Sequence, residues 1–297
     1  MKVIITGKSG QLGRSLLNQD HKNLEIIALN KNEFNITNFS ICKKIIGDYR
    51  PDWVINTAAF TAVDLAESKK EECYAINNTG VKNLAESLSN TNGKLLHIST
   101  DFVFDGNKNT PYKTLDKCAP KSIYGKSKFE GEKSALKFPR TFILRTSWLY
   151  SSYGKNFCLT MLKLHKLFKQ KNQPLKVVSD QIGCPTSCET LANICFKFIE
   201  IEKNKEIIDR LFHWSDCGVA SWFDFAVAIG EIGTQLKLIK SPAKVIPIKS
   251  KDYKTDAERP KYSILDCTST IDLLNAEQIY WRDSLKNVIG SIKKIEL

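Results

Sequence analysis

Short apolar runs separated by polar stretches of helix length set the rhythm of the first half of the chain. Lys2-Val-Ile-Ile-Thr6 reads as a strand, Gln11 to Asn18 as a helix, and Leu24 to Leu29 and Trp53-Val-Ile-Asn56 as two further strands. Between Tyr74 and Leu88 the apolar residues Ile76, Val81, Leu84, Ala85 and Leu88 recur at helical spacing. Lys94-Leu-Leu-His-Ile-Ser99 predicts a fourth strand. A loop with Pro111 and Pro120 leads to a helix carrying Tyr124 and Lys128, and Thr141-Phe-Ile-Leu-Arg145 predicts another strand. Alternation of this kind implies right-handed crossovers and a doubly wound parallel sheet covered by helices on both faces.

Beyond residue 150 the rhythm loosens. A helix from about Asn156 to Phe168, strand Lys176-Val-Val-Ser179, a turn at Gly183-Cys-Pro185 and a helix from Glu189 towards Ile199 are legible. One more amphipathic helix lies near Trp222 to Ile229, among Pro-containing segments. The expected fold class is therefore α/β, Rossmann-type, with a smaller α+β lobe. Residues 1–150 would form the nucleotide-binding domain and 151–297 mainly the second lobe, with segments around 175–200 returning to the first.

Composition narrows the class without naming a chemistry. A chain of 297 residues with 42% hydrophobic and 26% charged residues is an ordinary globular composition. No apolar run approaches the roughly 20 residues that span a bilayer, and no signal peptide is evident at the N-terminus. Nine scattered cysteines without a C-x-x-C pair read as reduced thiols of a cytoplasmic protein, and the four dispersed histidines give no zinc pattern. The net charge of +12 suits anionic ligands or a lysine-rich solvated surface. Its lysines are spread along the chain with no nucleic-acid-binding motif, so neither nucleic acid nor membrane is an expected partner.

Candidate chemistry sits at the strand ends. Gly7-x-x-Gly10-x-x-Gly13 follows the first strand and opens the first helix, where backbone N–H groups and the helix dipole receive a pyrophosphate. The second strand ends Leu29-Asn30-Lys31 without a carboxylate at its tip; with Lys8 and Arg14 nearby, this favours NADPH, although Glu33 lies close and NADH stays open. Tyr124 and Lys128 are spaced i, i+4 on one helix face. An ammonium beside a phenol lowers its pKa from about 10, so Tyr124 can exchange a proton with a carbonyl or alcohol oxygen while hydride moves. Thr100 and Asp101, after the fourth strand, stand where open α/β sheets bind ligands, and Thr100 could hydrogen-bond the reacting carbonyl. The segment Asn56 to Thr61 would line the cofactor, and Asn77 would support a water or the lysine. The aromatic residues of the helix at Trp222 read as core.

These residues resemble the extended short-chain dehydrogenase/reductase superfamily and, within it, the dTDP-4-dehydrorhamnose reductase family. The resemblance runs along nearly the whole chain, through Gly7-Lys-Ser-Gly-Gln-Leu-Gly13, Ala58-Ala-Phe-Thr-Ala-Val-Asp64, Ser99-Thr-Asp-Phe-Val-Phe-Asp-Gly106 and Tyr124-Gly-Lys-Ser-Lys128. It continues in Leu144-Arg-Thr-Ser-Trp-Leu-Tyr150, Asp180-Gln-Ile-Gly-Cys-Pro-Thr186, Ser221-Trp222 and Arg259-Pro260. It implies Tyr124 as proton donor, Lys128 as its partner, Thr100 tuning the tyrosine, and Thr100, Asp101 and Trp148 at the sugar. It places Gly10, Gln11 and Leu12 at the pyrophosphate and Ala59, Phe60 and Thr61 on the cofactor, with Asn35 and Ile36 near the adenine. Lys128 would hold the nicotinamide ribose. The implied reaction is NADPH-dependent reduction of the C4 ketone of a dTDP-linked 4-keto-6-deoxyhexose, with a homodimer as the assembly. Some relatives bridge dimers with Mg2+ through glutamates, one just after the glycine turn; Arg14-Ser15 offers no such ligand, so no metal is expected. Two alternatives stay open: a reductase of another nucleotide-linked 4-keto-6-deoxysugar (a 6-deoxytalose or acetamido sugar), and a non-catalytic NADP-binding regulatory subunit.

Overall fold

The computed structural model describes residues 1–21, 24–201 and 207–292. Its centre is a six-stranded parallel sheet. Strands β1 (Lys2–Thr6), β2 (Glu25–Leu29), β3 (Trp53–Asn56), β4 (Lys94–Thr100) and β5 (Thr141–Thr146) are joined by a sixth at Leu211–His213. In space the order is Leu211–His213, β5, β4, β3, β1, β2. The chain therefore builds outward from β1 on one side, then restarts at β3 on the other. That reversal leaves a crevice between the C-terminal ends of β1 and β3, where open α/β sheets bind ligands.

Alternation along the buried strands divides the core into two layers. Val3, Ile5, Ile55, Leu96 and Leu144 face helix Cys188–Ile201 and the short helix Gln11–Leu17. Ile4, Val54, Leu95 and Ile143 face the layer that contains Ile46, Val81, Leu84 and Ala135. A separate core forms the second lobe, where Leu162, Phe225, Ile229, Trp281 and Leu285 pack together.

Strand Leu175–Val178 pairs in parallel with Val245–Ile248 inside that second lobe, whereas the segment that extends the main sheet is Leu211–His213 beside β5. A three-residue strand cannot show an alternation pattern, so nothing local marks Leu211–His213 in the sequence.

Candidate active site

Helix Ile123–Ala135 carries the proposed acid–base pair, and charged and small residues dominate its sequence. Ser122 caps it, its hydroxyl oxygen accepting the Gly125 N–H at 3.1 Å. At i, i+4, i+8 spacing Tyr124, Lys128 and Glu132 all point inward and are buried. Two glycines let the helix come that close: a Cβ on Gly125 would stand 2.3 Å from the Phe102 carbonyl oxygen, and one on Gly131 2.0 Å from that of Asn77. The structure thus buries titratable groups rather than an apolar stripe, and each needs partners.

Those partners are present. Lys128 Nζ donates to the Ile98 carbonyl at 2.6 Å and lies 3.2 Å from His97 Nε2. Burial pulls the lysine down to about 8, against the opposing charge of Glu132. Glu132 is paired with Arg145 at 2.7 Å and also accepts from Ser99. Tyr124 lies among Phe60, Phe102, Ala66 and Cys73. Burial raises its phenol well above the ordinary value, while the Thr100 hydroxyl, hydrogen-bonded to it, pulls the other way. Thr100 Oγ1 also donates to Asp101 Oδ1 at 3.0 Å. Burial pushes the Asp101 carboxyl up to about 6, opposed by hydrogen bonds from Ser263 and Thr100. Tyr124, Thr100 and Asp101 therefore form one buried group at the end of β4, with Lys128 buried one turn further along the helix of Tyr124.

Asn77 occupies a π-helical turn, Ala75–Gly80, a distortion common at functional sites. Its side chain accepts the Phe60 N–H at 2.8 Å, donates to the Phe60 carbonyl at 3.1 Å and donates to Ser127 at 3.0 Å. It therefore clamps the loop after β3 to the helix of Tyr124.

A cavity of about 440 Å³ opens over the crevice between β1 and β3, and its lining includes Gly7, Gly10, Asn30, Lys31, Asn35, Ile36 and Ala59. Gly7 has φ of +69°, and a Cβ there would meet the Ala58 nitrogen at 2.9 Å. Gly13 packs its α-carbon on the same turn, since an added Cβ would lie 2.4 Å from the Gly7 carbonyl oxygen. Leu12 sends its side chain into the core, which leaves its backbone facing the turn. Gln11 is held by the second lobe, accepting from Ser151 at 3.1 Å and Asn156 at 2.9 Å. Glu33 accepts the Asn30 N–H at 2.8 Å and pairs with Lys8, and these contacts lower its pKa. Thr61 is exposed, and Phe60 stands beside Tyr124 rather than on this cavity.

A larger cavity, about 1000 Å³, lies in the second lobe, with Phe157, Phe168 and Trp222 on its apolar side and Lys176, Lys251 and Arg259 among its cations. Trp148, two residues past β5, stacks on Trp222 with centroids 3.5 Å apart and planes 2° off parallel. Its φ of +47° is unusual for a bulky side chain and marks a backbone held by its surroundings.

The family described as RmlD substrate binding domain matches residues 1–294. The chain belongs to that family. A dTDP-4-dehydrorhamnose reductase from Aggregatibacter actinomycetemcomitans is 40% identical, covering 97% of this chain and 98% of its own. A crystal structure of a dTDP-4-dehydrorhamnose reductase from Clostridium acetobutylicum superposes with a TM-score of 0.87 at 39% identity, over 97% of this chain and 98% of that one. The Bacillus anthracis dTDP-4-dehydrorhamnose reductase, solved in complex with NADP, gives 0.88 at 33% identity, over 100% and 99% of the two chains. These relatives are oxidoreductases, and the fold and family expected from the sequence hold.

Three features escape a reading of the sequence. Trp222 packs against the second-lobe core as expected but also lines the larger cavity, its indole N–H donating to Gln181 at 3.1 Å. Arg145, inside the Leu144-Arg-Thr-Ser-Trp block, spends its charge on Glu132 in the interior. His97 and Asn56 contact each other at 2.9 Å beneath Lys128. In a strand buried on both faces no alternation tells which way His97 points, so only the neighbouring strands reveal it.

Proposed function

We propose that this protein reduces the C4 ketone of dTDP-4-dehydro-L-rhamnose to give dTDP-L-rhamnose, using NADPH, in the cytoplasm. The observation that carries the reading is the buried pair of Tyr124 and Thr100 at the end of β4, with Lys128 buried on the same helix, beside a glycine turn that leaves no room for a Cβ. The residues present fit a dinucleotide: Gly7, Gly10 and the short helix they open suit the pyrophosphate, and Asn35 and Ile36 line the adenosine end of the cavity. Lys31 is exposed at the strand tip and Glu33 is engaged by Lys8, an arrangement that suits a 2′-phosphate. When bound, the reduced nicotinamide supplies hydride to C4. Tyr124 holds the proton that the C4 oxygen takes up, and its raised pKa keeps that proton in place at neutral pH. Thr100 donates its one hydroxyl proton to Asp101 Oδ1 and can turn it to this oxygen instead, and Lys128 offers an N–H to the ribose.

The larger cavity suits the dTDP end of the substrate. Trp222 and Phe157 provide flat apolar surface for a base, and Lys176, Lys251 and Lys261 provide positive charge for a diphosphate. Trp148 would stand between that end and the sugar.

Purified protein should oxidise NADPH with a dTDP-linked 4-keto-6-deoxyhexose, and NMR of the product should show the L-rhamno configuration. Turnover only with a UDP-linked sugar, or a 6-deoxytalose product, would sink the assignment. Absence of turnover on every 4-keto sugar, with NADPH still bound, would favour a regulatory subunit.

A further inference from the structure

The strand tip beside the smaller cavity carries a carboxylate that does not face the cavity. β2 ends at Leu29, and Asn30 to Glu33 close a turn whose end residues bond each other reciprocally. Asn30 Oδ1 accepts the N–H groups of Asn32 at 2.9 Å and of Glu33 at 3.1 Å, while Glu33 Oε2 accepts the Asn30 N–H at 2.8 Å. Lys8 completes the arrangement from the glycine turn. Its backbone N–H donates to the Leu29 carbonyl at 3.2 Å, and its Nζ lies 2.9 Å from Glu33 Oε1 and 2.8 Å from Oε2.

Neither Lys8 nor Glu33 lines the cavity, although Gly7 and Ser9 on either side of Lys8 do, as do Asn32 and Phe34 on either side of Glu33. Among the described residues that line it none is a carboxylate, and Lys31 is its one cation. In sites built for NAD an acid past the second strand bonds the adenosine 2′-hydroxyl and repels a 2′-phosphate. Here the acid is present but both its oxygens are engaged, one by Lys8 and the other by Lys8 and the Asn30 N–H.

We propose that Lys8 is a positioning residue for cofactor choice: it neutralises Glu33 and keeps that carboxylate off the ribose site, leaving Lys31 to meet a 2′-phosphate unopposed. The proposal deepens, and rests on, the reading of this cavity as the adenosine end of a dinucleotide site. Lys8 acts through Glu33 and not by touching phosphate, because its ammonium is spent on the carboxylate outside the cavity. Without Lys8, Glu33 keeps only the Asn30 N–H. Its charge then stands uncompensated beside the phosphate, and its other oxygen is free to accept from a ribose hydroxyl. Loss of Lys8 therefore penalises NADPH and favours NADH, and loss of the Glu33 charge as well removes the penalty. A residue that bound the phosphate directly would weaken NADPH in either background.

The test is fluorescence titration of the full-length protein with NADPH and with NADH, at low ionic strength and without sugar, since salt screens a part-exposed pair. The wild type should bind NADPH more tightly. In Lys8→Met the ratio of the NADH to the NADPH dissociation constant should fall by about three- to fivefold, the upper range for an exposed ion pair. Lys8→Arg keeps the cation and should keep the ratio. Adding Glu33→Gln to Lys8→Met should return the ratio to that of Glu33→Gln alone. An equal fall with and without the Glu33 charge would assign Lys8 to the phosphate itself and overturn the proposal. So would a ratio unmoved by Lys8→Met, or a wild type that prefers NADH. A wild type that binds neither dinucleotide would overturn the cofactor reading, and the proposal with it. Because the readout needs no turnover, it stands apart from the outcome of the sugar assay.

Discussion

Tyr124 is one residue whose surroundings decide its working state. Burial holds it as a phenol, and Thr100 is the neighbour that eases proton release. Tyr124→Phe should leave NADPH affinity within about twofold and lower turnover on the order of 10²-fold or more, because the acid is removed while the fold is kept. Steady-state kinetics beside fluorescence titration of NADPH would check both halves. Asp101 supplies a pH signature. Its pKa, raised to about 6, means that it is ionised at neutral pH and loses its acceptor capacity as the pH falls through that value. The kcat/KM for the sugar nucleotide should therefore fall below about pH 6, and Asp101→Asn should remove that inflection. The i, i+4 spacing of Tyr124 and Lys128 was legible in the sequence because helix geometry places such residues together. The contact of Lys128 with His97 was not, since it joins elements 31 positions apart.

At the scale of elements, close approach is what the glycines provide. The glycine turn after β1 was readable because its spacing falls between an apolar run and a helix. A Cβ on Gly13 would stand 2.4 Å from a backbone oxygen that cannot rotate away. Gly13→Ala should weaken NADPH binding by about 1–3 kcal/mol, measurable by calorimetry, as the turn shifts to relieve the overlap. Gly183 is a quieter case. An added Cβ there would meet the Trp148 indole at 2.5 Å and push on its stack with Trp222. Gly183→Ala should therefore raise the KM for the sugar nucleotide by roughly tenfold while NADPH binding is kept, if the cost of overpacking falls near the middle of its usual range. An unchanged KM would argue against the role given to the stacked pair.

The molecule as a whole is tied together across the two lobes. Arg259, on the large cavity, makes a two-pronged pair with Asp64 at 3.0 and 2.6 Å, joining the C-terminal segment to helix Val63–Ser68 of the sheet domain. Asp64 is held below its ordinary range by that pair. Arg259→Ala should raise the KM for the sugar nucleotide severalfold with little change in NADPH affinity, since it removes both a cation of the cavity and the strut that shapes it. Equal losses for both ligands would point to general unfolding instead. The link between Gln11 and the pair Ser151 and Asn156 works in the same way on the other side.

Periodicity alone determined the order of the first five strands and of the helices at Gln11, Tyr74 and Tyr124, though not helices Phe39–Tyr49 and Val63–Ser68, because buried strands and helix faces impose apolar spacings that local sequence must satisfy. It also placed the glycine turn and the tyrosine–lysine helix at strand ends. Tertiary structure decided the rest. Only the sheet register aligns Thr6, Asn56 and His97 under Lys128, and only lobe packing brings Trp222 onto Trp148. Such contacts join residues far apart in the chain, and no local spacing rule constrains which of them meet.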